Sequence, residues 1–157
     1  MLTTVHAYTN DQEVLDNAHH NIRRGRAAAL NLIPTTTGAA ETVIEVIPEL
    51  KGKLTGLAIR APVPCGSLTD LTCEVLKKTS VSEVNNILKK ASQTSFKNII
   101  EYSQDNLVSS DVIGNPHSAI VDSLCTQVDG NLVKVLAWYD NEFGYSNRVV
   151  DVIQRLK

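Results

Sequence analysis

The chain opens on a stretch rich in β-branched residues. Met1 to Tyr8 (MLTTVHAY) reads as a strand from the first residue onward. Thr9-Asn10-Asp11-Gln12 reads as a turn. The segment from Glu13 to Asn31 is polar and basic with no clean period, which predicts a long loop with short helical pieces. Pro34 and Gly38 bracket Thr35-Thr36-Thr37. From Ala39 to Ile47 the apolar residues Val43, Ile44 and Ile47 recur at helical spacing, and Pro48 ends that run. Leu54 to Pro62 and Ser67 to Leu76 read as strands, broken by Pro62-Val63-Pro64-Cys65-Gly66. Ser80-Val81-Ser82-Glu83 has a capping-box pattern. The apolar positions Val81, Val84, Ile87, Leu88 and Ala91 that follow share one helical stripe. Short strands are predicted near Ile99–Tyr102, Ser118–Leu124 and Leu132–Trp138. Asp129-Gly130 is the turn between the last two. A closing helix from about Gly144 to Leu156 sets Tyr145, Val149, Val152, Ile153 and Leu156 on one face.

Helices do not alternate regularly with strands in this order, and a hairpin signal is present. The pattern predicts an α+β fold, a mostly antiparallel mixed sheet with helices packed on one face, as one domain over residues 1–157. No GxGxxG and no Walker loop is present. A domain of this length with 43% hydrophobic and 20% charged residues has the composition of a globular protein. The net charge of −2 gives no basis for nucleic acid or an anionic membrane as partner. Cys65, Cys73 and Cys125 are scattered and odd in number, which fits a reducing cytoplasm rather than a disulfide framework. The first residues lack a basic region and a long apolar run, so they are not a signal peptide. A strand at the first residue is unusual for a natural domain, and it predicts a chain that starts inside something larger.

Several residues can carry chemistry. His6 lies on the first strand just before a turn, where an imidazole can act as a general base; the alternative is a half-buried, hydrogen-bonded histidine. Thr35-Thr36-Thr37-Gly38 leads into a helix, and hydroxyls with unpaired first-turn amides make an anion site. An ordinary threonine cap is the alternative. Arg23-Arg24-Gly25-Arg26 can hold a phosphate or form a solvated or intersubunit patch. Arg60 stands within an apolar strand, where an unpaired charge is costly, so it calls for a carboxylate or a phosphate. His19-His20 lack metal-ligand spacing, and no metal site is expected. Four aromatic residues crowd into Trp138-Tyr139-Asp140-Asn141-Glu142-Phe143-Gly144-Tyr145.

Four stretches carry a family resemblance: TTVHAYTNDQ, RRGRAAALNLIPTTTGAA, ELKGKLTGLAIRAPVP and WYDNEFGYSNRVVD. In their order and spacing, from Thr3 to about Ile153, the chain resembles the catalytic half of phosphorylating glyceraldehyde-3-phosphate dehydrogenase. The resemblance implies His6 as the catalytic base, Thr9 and Arg60 at the substrate phosphate, and Arg24, Thr37 and Gly38 at the attacking inorganic phosphate. It implies Asn141 and Tyr145 beside the nicotinamide of NAD, with NADP left open. It implies that Asn10 to about Asn31 is a loop reaching a neighbouring subunit of a cytoplasmic homotetramer. The family's nucleophilic cysteine stands in an S-C-T-T-N segment upstream of the histidine strand, and this sequence has no such segment. None of the three cysteines carries over, and neither does the Rossmann half that holds most of the cofactor. The chain therefore reads as a fragment expected to be inactive alone. Cys65-Gly66 stands where the family has Asn followed by a hydrophobic residue. Pro116 to Asp122 has some likeness to the erythrose-4-phosphate dehydrogenase branch, whereas Thr-Thr-Thr-Gly-Ala-Ala favours the triose enzyme. A non-enzymatic assembly or phosphate-binding domain is the other alternative.

Overall fold

A computed structural model describes residues 1–156. Its elements are β1 (Leu2–Ala7), β2 (Ile33–Thr35), α1 (Ala39–Val46), β3 (Gly56–Ala61), β4 (Ser67–Glu74), α2 (Val81–Gln93), β5 (Ile100–Ser103), β6 (Ala119–Asp129), β7 (Leu132–Tyr139) and α3 (Phe143–Arg155). Two 3-10 turns, Pro48–Leu50 and Ser109–Val112, complete the set. The seven strands form one sheet in the order β2-β3-β1-β4-β7-β6-β5. Four of its pairings are antiparallel; β1 with β3 and β5 with β6 are parallel. The α+β, mostly antiparallel mixed sheet expected from the pattern is the one observed.

Side chains two apart along a strand share a face. The registers His6↔Arg60 and Arg60↔Ile33 place Thr4, His6, Ala58, Arg60 and Thr35 on one face. The registers Leu2↔Leu71 and Ser67↔Tyr139 extend that face through Ser67, Thr69, Cys73, Val133, Val135 and Tyr139. Helix α2 lies on the same face at the β5–β6 side. The Asn85 amide donates to the Ser123 carbonyl at 3.0 Å and accepts from Thr126 Oγ1 at 2.7 Å. The apolar stripe had put Ile87 inward, yet Ile87 is exposed and lines a groove with Cys73, Val133 and Val135. The helix is turned so that Asn85, satisfied by two hydrogen bonds, faces the sheet. At its start Ser80 Oγ accepts from the Glu83 amide, but the Glu83 carboxylate is taken by the Ser80 and Thr79 hydroxyls rather than by the Ser80 amide.

Other segments depart from the expectation. Ile33–Thr35 is an edge strand, tolerated despite Pro34 because an edge residue need not donate to the sheet. Residues 13–31 contain turns and no helix. The loop doubles back on itself through Asn17 N to Gly25 O at 2.8 Å, Ala28 N to Glu13 O at 2.9 Å, and Asp16 accepting from Arg26 and the Ala27 amide. Gly25 is required there, since a Cβ would stand 2.3 Å from the Asn17 carbonyl. The stripe on α3 forms as expected but is not buried: Tyr145, Val149, Val152, Ile153 and Leu156 are all exposed. Among the described residues, α2 is the helix packed on the sheet, against β5 and β6.

Candidate active site

The site forms where β1 and β3 end side by side. His6 and Arg60 are register partners on these parallel strands, and Arg60 Nη1 lies 2.7 Å from His6 Nδ1. Both groups reach one acceptor: Arg60 Nη1 is 3.0 Å, and His6 Nδ1 2.7 Å, from the Ala7 carbonyl. In the tautomer whose Nδ1–H donates to that carbonyl, Nε2 is the basic nitrogen; in the other, Nδ1 accepts from Arg60 Nη1. Burial holds His6 below the ordinary imidazole value, the Ala7 carbonyl works against this, and the Arg60 guanidinium adds to it. Tyr139 meets the imidazole edge-on, with ring centroids 6.0 Å apart, and burial raises its phenol.

Arg60 is itself strained electrostatically. Burial lowers its guanidinium, Arg24 lowers it further, and its Nε is buried with no acceptor. An unpaired donor on a buried guanidinium is a place for an anion. Arg24 approaches from the loop. Its Nε donates to Thr35 Oγ1 at 2.8 Å, its Nη2 to the Thr36 carbonyl at 3.3 Å, and its Nη1 pairs with Asp11. Thr35, Thr36 and Thr37 line a cavity of about 750 Å³ with Arg23, His20 and Glu41. Thr37 Oγ1 accepts from the Ala39 amide at 3.2 Å, but the residue capping α1 is Gly38, and its side-chain direction is open space. Apart from the Ala39 amide, the first-turn amides of α1 have no side-chain cap among the described residues, as an anion cradle needs. Thr9, two residues past the end of β1, lines a neighbouring cavity with Asp11 and Pro64; its amide is held by Gln12 Oε1 at 2.8 Å.

A second arm reaches the site from the end of β7. Ser67 Oγ accepts from the Ala7 amide at 3.1 Å and donates to Asn141 Oδ1 at 3.0 Å. The Asn141 carboxamide is thus tied one residue from His6, and its amino group has no acceptor among the described residues. Asp140 holds this corner. It is buried and accepts from the amides of Gly114, Glu142 and Phe143 at 2.8 Å each. Tyr145, in the first turn of α3, is exposed and hydrogen-bonds neither His6 nor Arg60 among the described residues. The structure therefore brings His6 and Arg60 together, joins Arg24 to the threonine run, and tethers Asn141. Ser67, Tyr139, Asp11 and Asp140 were not singled out from the sequence. Only Asp140 had a readable signal, an Asp placed to accept from the first amides of a helix.

No cysteine hydrogen-bonds His6 among the described residues. Burial raises the Cys65 and Cys125 thiols, the reverse of what a nucleophilic thiolate needs. No group of metal-ligating side chains occurs among the described residues, and no described helix is long and apolar enough to cross a membrane.

The sequence profile of a family described as "Glyceraldehyde 3-phosphate dehydrogenase, C-terminal domain" matches residues 1–141. Among curated relatives, the glyceraldehyde-3-phosphate dehydrogenase of Borreliella burgdorferi is 57% identical over 99% of this chain and 48% of its own length. That of Priestia megaterium is 57% identical over 98% of the chain and 46% of its own length. That of Mycolicibacterium smegmatis is 50% identical over 98% and 45%. The chain spans about half the length of the relatives it matches.

Proposed function

The chain belongs to the glyceraldehyde-3-phosphate dehydrogenase family, as part of its C-terminal domain, and from that premise we propose that it supplies the base and the phosphate sites of a phosphorylating aldehyde oxidation. The substrate is glyceraldehyde 3-phosphate and the product its acyl phosphate. The observation that carries this reading is the register pairing of His6 with Arg60, a base and an anion-seeking guanidinium at the same end of the sheet. Relatives named for the triose substrate favour it over an erythrose 4-phosphate enzyme.

In this proposal His6 Nε2 takes the hydroxyl proton of the hemithioacetal formed on a cysteine outside these 157 residues. Thr9 and Arg60 hold the substrate's phosphate. Arg24, Thr37 and Gly38, with the first-turn amides of α1, receive inorganic phosphate. NAD fits the Asn141 corner, where the free amino group can donate to a nicotinamide carboxamide oxygen; NADP would fit it equally. The cofactor held there would supply a hydride acceptor for the substrate carbon. Tyr145 would flank the same ring. The Rossmann half of the family would hold the rest of the cofactor. A cytoplasmic homotetramer is part of the same reading. Its support is the exposed Val14, Leu15, Ile22, Leu30 and Leu32 on the loop of residues 10–32, more apolar surface than a solvated loop needs.

Calorimetric titration of inorganic phosphate into the chain and into Arg60→Ala tests the site. The expected result is a loss of at least about tenfold in affinity, as for a charge-assisted hydrogen bond. Equal affinity removes Arg60 from it. The 157-residue chain alone is expected to show no dehydrogenase activity, and joining it to the upstream segment of a relative to restore it.

A further inference from the structure

His6 and Arg60 are closer than two binding groups with separate tasks need to be. Nδ1 of the imidazole has two partners, the Ala7 carbonyl at 2.7 Å and Arg60 Nη1 at 2.7 Å. Guanidinium nitrogens never accept. In one tautomer Nδ1 accepts from Arg60 Nη1, and in the other its Nδ1–H donates to the Ala7 carbonyl beside a guanidinium that donates there too. Protonating the other ring nitrogen would place a full imidazolium charge against a full guanidinium charge.

Little nearby offsets that pair. Arg60 comes from β3. From β7, Tyr139 presents a neutral phenol edge-on at 6.0 Å between centroids. From β4, Ser67 offers a hydroxyl to the Ala7 amide. From the loop, Arg24 adds a second guanidinium, and the one carboxylate, Asp11, is already paired with Arg24 and faces His19 Nε2 at 3.6 Å. Meanwhile Arg60 Nε is buried without an acceptor. One side of the guanidinium is starved of negative charge, and the other presses on the base.

We infer that Arg60 couples the two sites: a dianion bound to its guanidinium strengthens His6 as a base, and a protonated His6 strengthens the hold on the dianion. This rests on Arg60 being a phosphate-holding residue, as proposed above. An anion on Arg60 draws the guanidinium towards itself, satisfies Nε, and replaces net repulsion at the imidazole by a balanced pair. The base then gains strength when a phosphorylated substrate is seated and stays weak in its absence. Arg60 acts on the proton transfer as a positioning residue, through His6, besides gripping substrate.

Sulfate is the suitable probe, because it remains a dianion across the range in which His6 titrates. The chain labelled with 15N-histidine is titrated between pH 5 and 9 in saturating sulfate and in sodium chloride of equal ionic strength. Backbone amide shifts at Thr9 and Arg60 report occupancy independently. The expected result is saturable binding, a rise of about one pKa unit for His6 in sulfate, and sulfate affinity about tenfold higher below that pKa than above it. The wild-type chain alone decides the matter. In Arg60→Gln, His6 is expected to titrate higher without sulfate and to lose its response to sulfate. Saturable binding with an unmoved His6 pKa overturns the coupling and leaves the phosphate site standing. No saturable binding at Thr9 and Arg60 overturns both.

Discussion

Replacing Asp140 tests how the Asn141 corner is held. Its carboxylate is 4% exposed and accepts three backbone amides, Gly114 on Oδ2 and Glu142 and Phe143 on Oδ1, each at 2.8 Å. Asp140→Ala strips all three amides of their acceptor. Gly114, Glu142 and Phe143 lie at the surface, so water can replace part of the loss, and each orphaned donor costs near the low end of the usual range, about 1 kcal/mol. The sum is about 3 kcal/mol, a fall of about 6–12 °C in Tm for a chain of this size. Asp140→Asn keeps one oxygen and is expected to lose about 1 kcal/mol. The pH dependence follows from the direction of the shift. Burial pushes the Asp140 carboxyl up, but the three amides and the Cys65 thiol outweigh it and leave it below the ordinary value. Its stabilisation is then present above the unfolded pKa of about 3.9 and is lost as pH falls through the lower folded value. Urea unfolding followed by circular dichroism and Trp138 fluorescence, at pH 7 and at pH 3, measures both effects. A cost under about 0.5 kcal/mol for Asp140→Ala at pH 7 would refute the reasoning, since that is the scatter of ordinary surface changes. So would a gap between wild type and Asp140→Asn that widens in acid.

Gly66→Ala and Ser67→Ala probe the same end of the sheet, with Gly52→Ala, before β3, as the reference. Gly66→Ala places a Cβ 2.0 Å from the Ser109 carbonyl at φ +86, whereas Gly52→Ala has a similar φ of +77 and open space. Both are expected to lose about 1–2 kcal/mol from the left-handed backbone, and only Gly66→Ala several more from the clash, read as a difference in urea midpoint; equal losses would show that the connection after β3 yields. Ser67→Ala leaves the fully buried Ala7 amide without its acceptor and frees Asn141, for an expected loss of about 1–3 kcal/mol by the same assay. Full retention of stability would mean that the Ser67 hydroxyl is no part of the tie between β1 and Asn141.

The legible parts of this chain are those that depend on near neighbours. The strands, α2 and α3 were visible as period and capping because both are local. Ile33–Thr35 was hidden because three residues containing proline have no alternation to show, and their strand character comes only from β3 beside them. The loop of residues 13–31 looked partly helical because its order comes from Asp16 and Gly25 meeting residues about ten positions away. Asn85 was passed over in favour of Ile87 because no apolarity count credits a satisfied amide with an inward position. His6 and Arg60 were legible as residues out of place on apolar strands. Their contact was not, since they are 54 positions apart and only the register brings them together. The apolar stripe of α3 shows the opposite limit. It was legible and real, yet the stripe stays exposed among the described residues, so period alone does not report burial.

One topological choice accounts for the site. If β1 and β3 ran antiparallel, their C-terminal ends would lie at opposite edges of the sheet, and His6 could not be paired with Arg60. Running parallel, they end together, so the loop after β1, carrying Thr9, Asp11 and Arg24, opens at the same edge as the Pro62–Gly66 connection. That connection turns directly into β4, which runs antiparallel to β1 and therefore starts at this edge with Ser67. Strand β7 is antiparallel to β4 and so finishes here, at Tyr139, with Asp140 and Asn141 just beyond. Four segments distant in sequence converge without any one of them needing an unusual local conformation apart from Gly66. His6, Arg60, Ser67 and the tethered Asn141 thus share an edge because strand directions place them there, whereas Arg24 comes from the loop and the threonine run leaves β2 towards the start of β3. Long-range pairing of this kind is costly in chain entropy to form. Once formed, it holds His6 and Arg60 side by side on paired strands rather than on loops, the rigidity that positional chemistry requires.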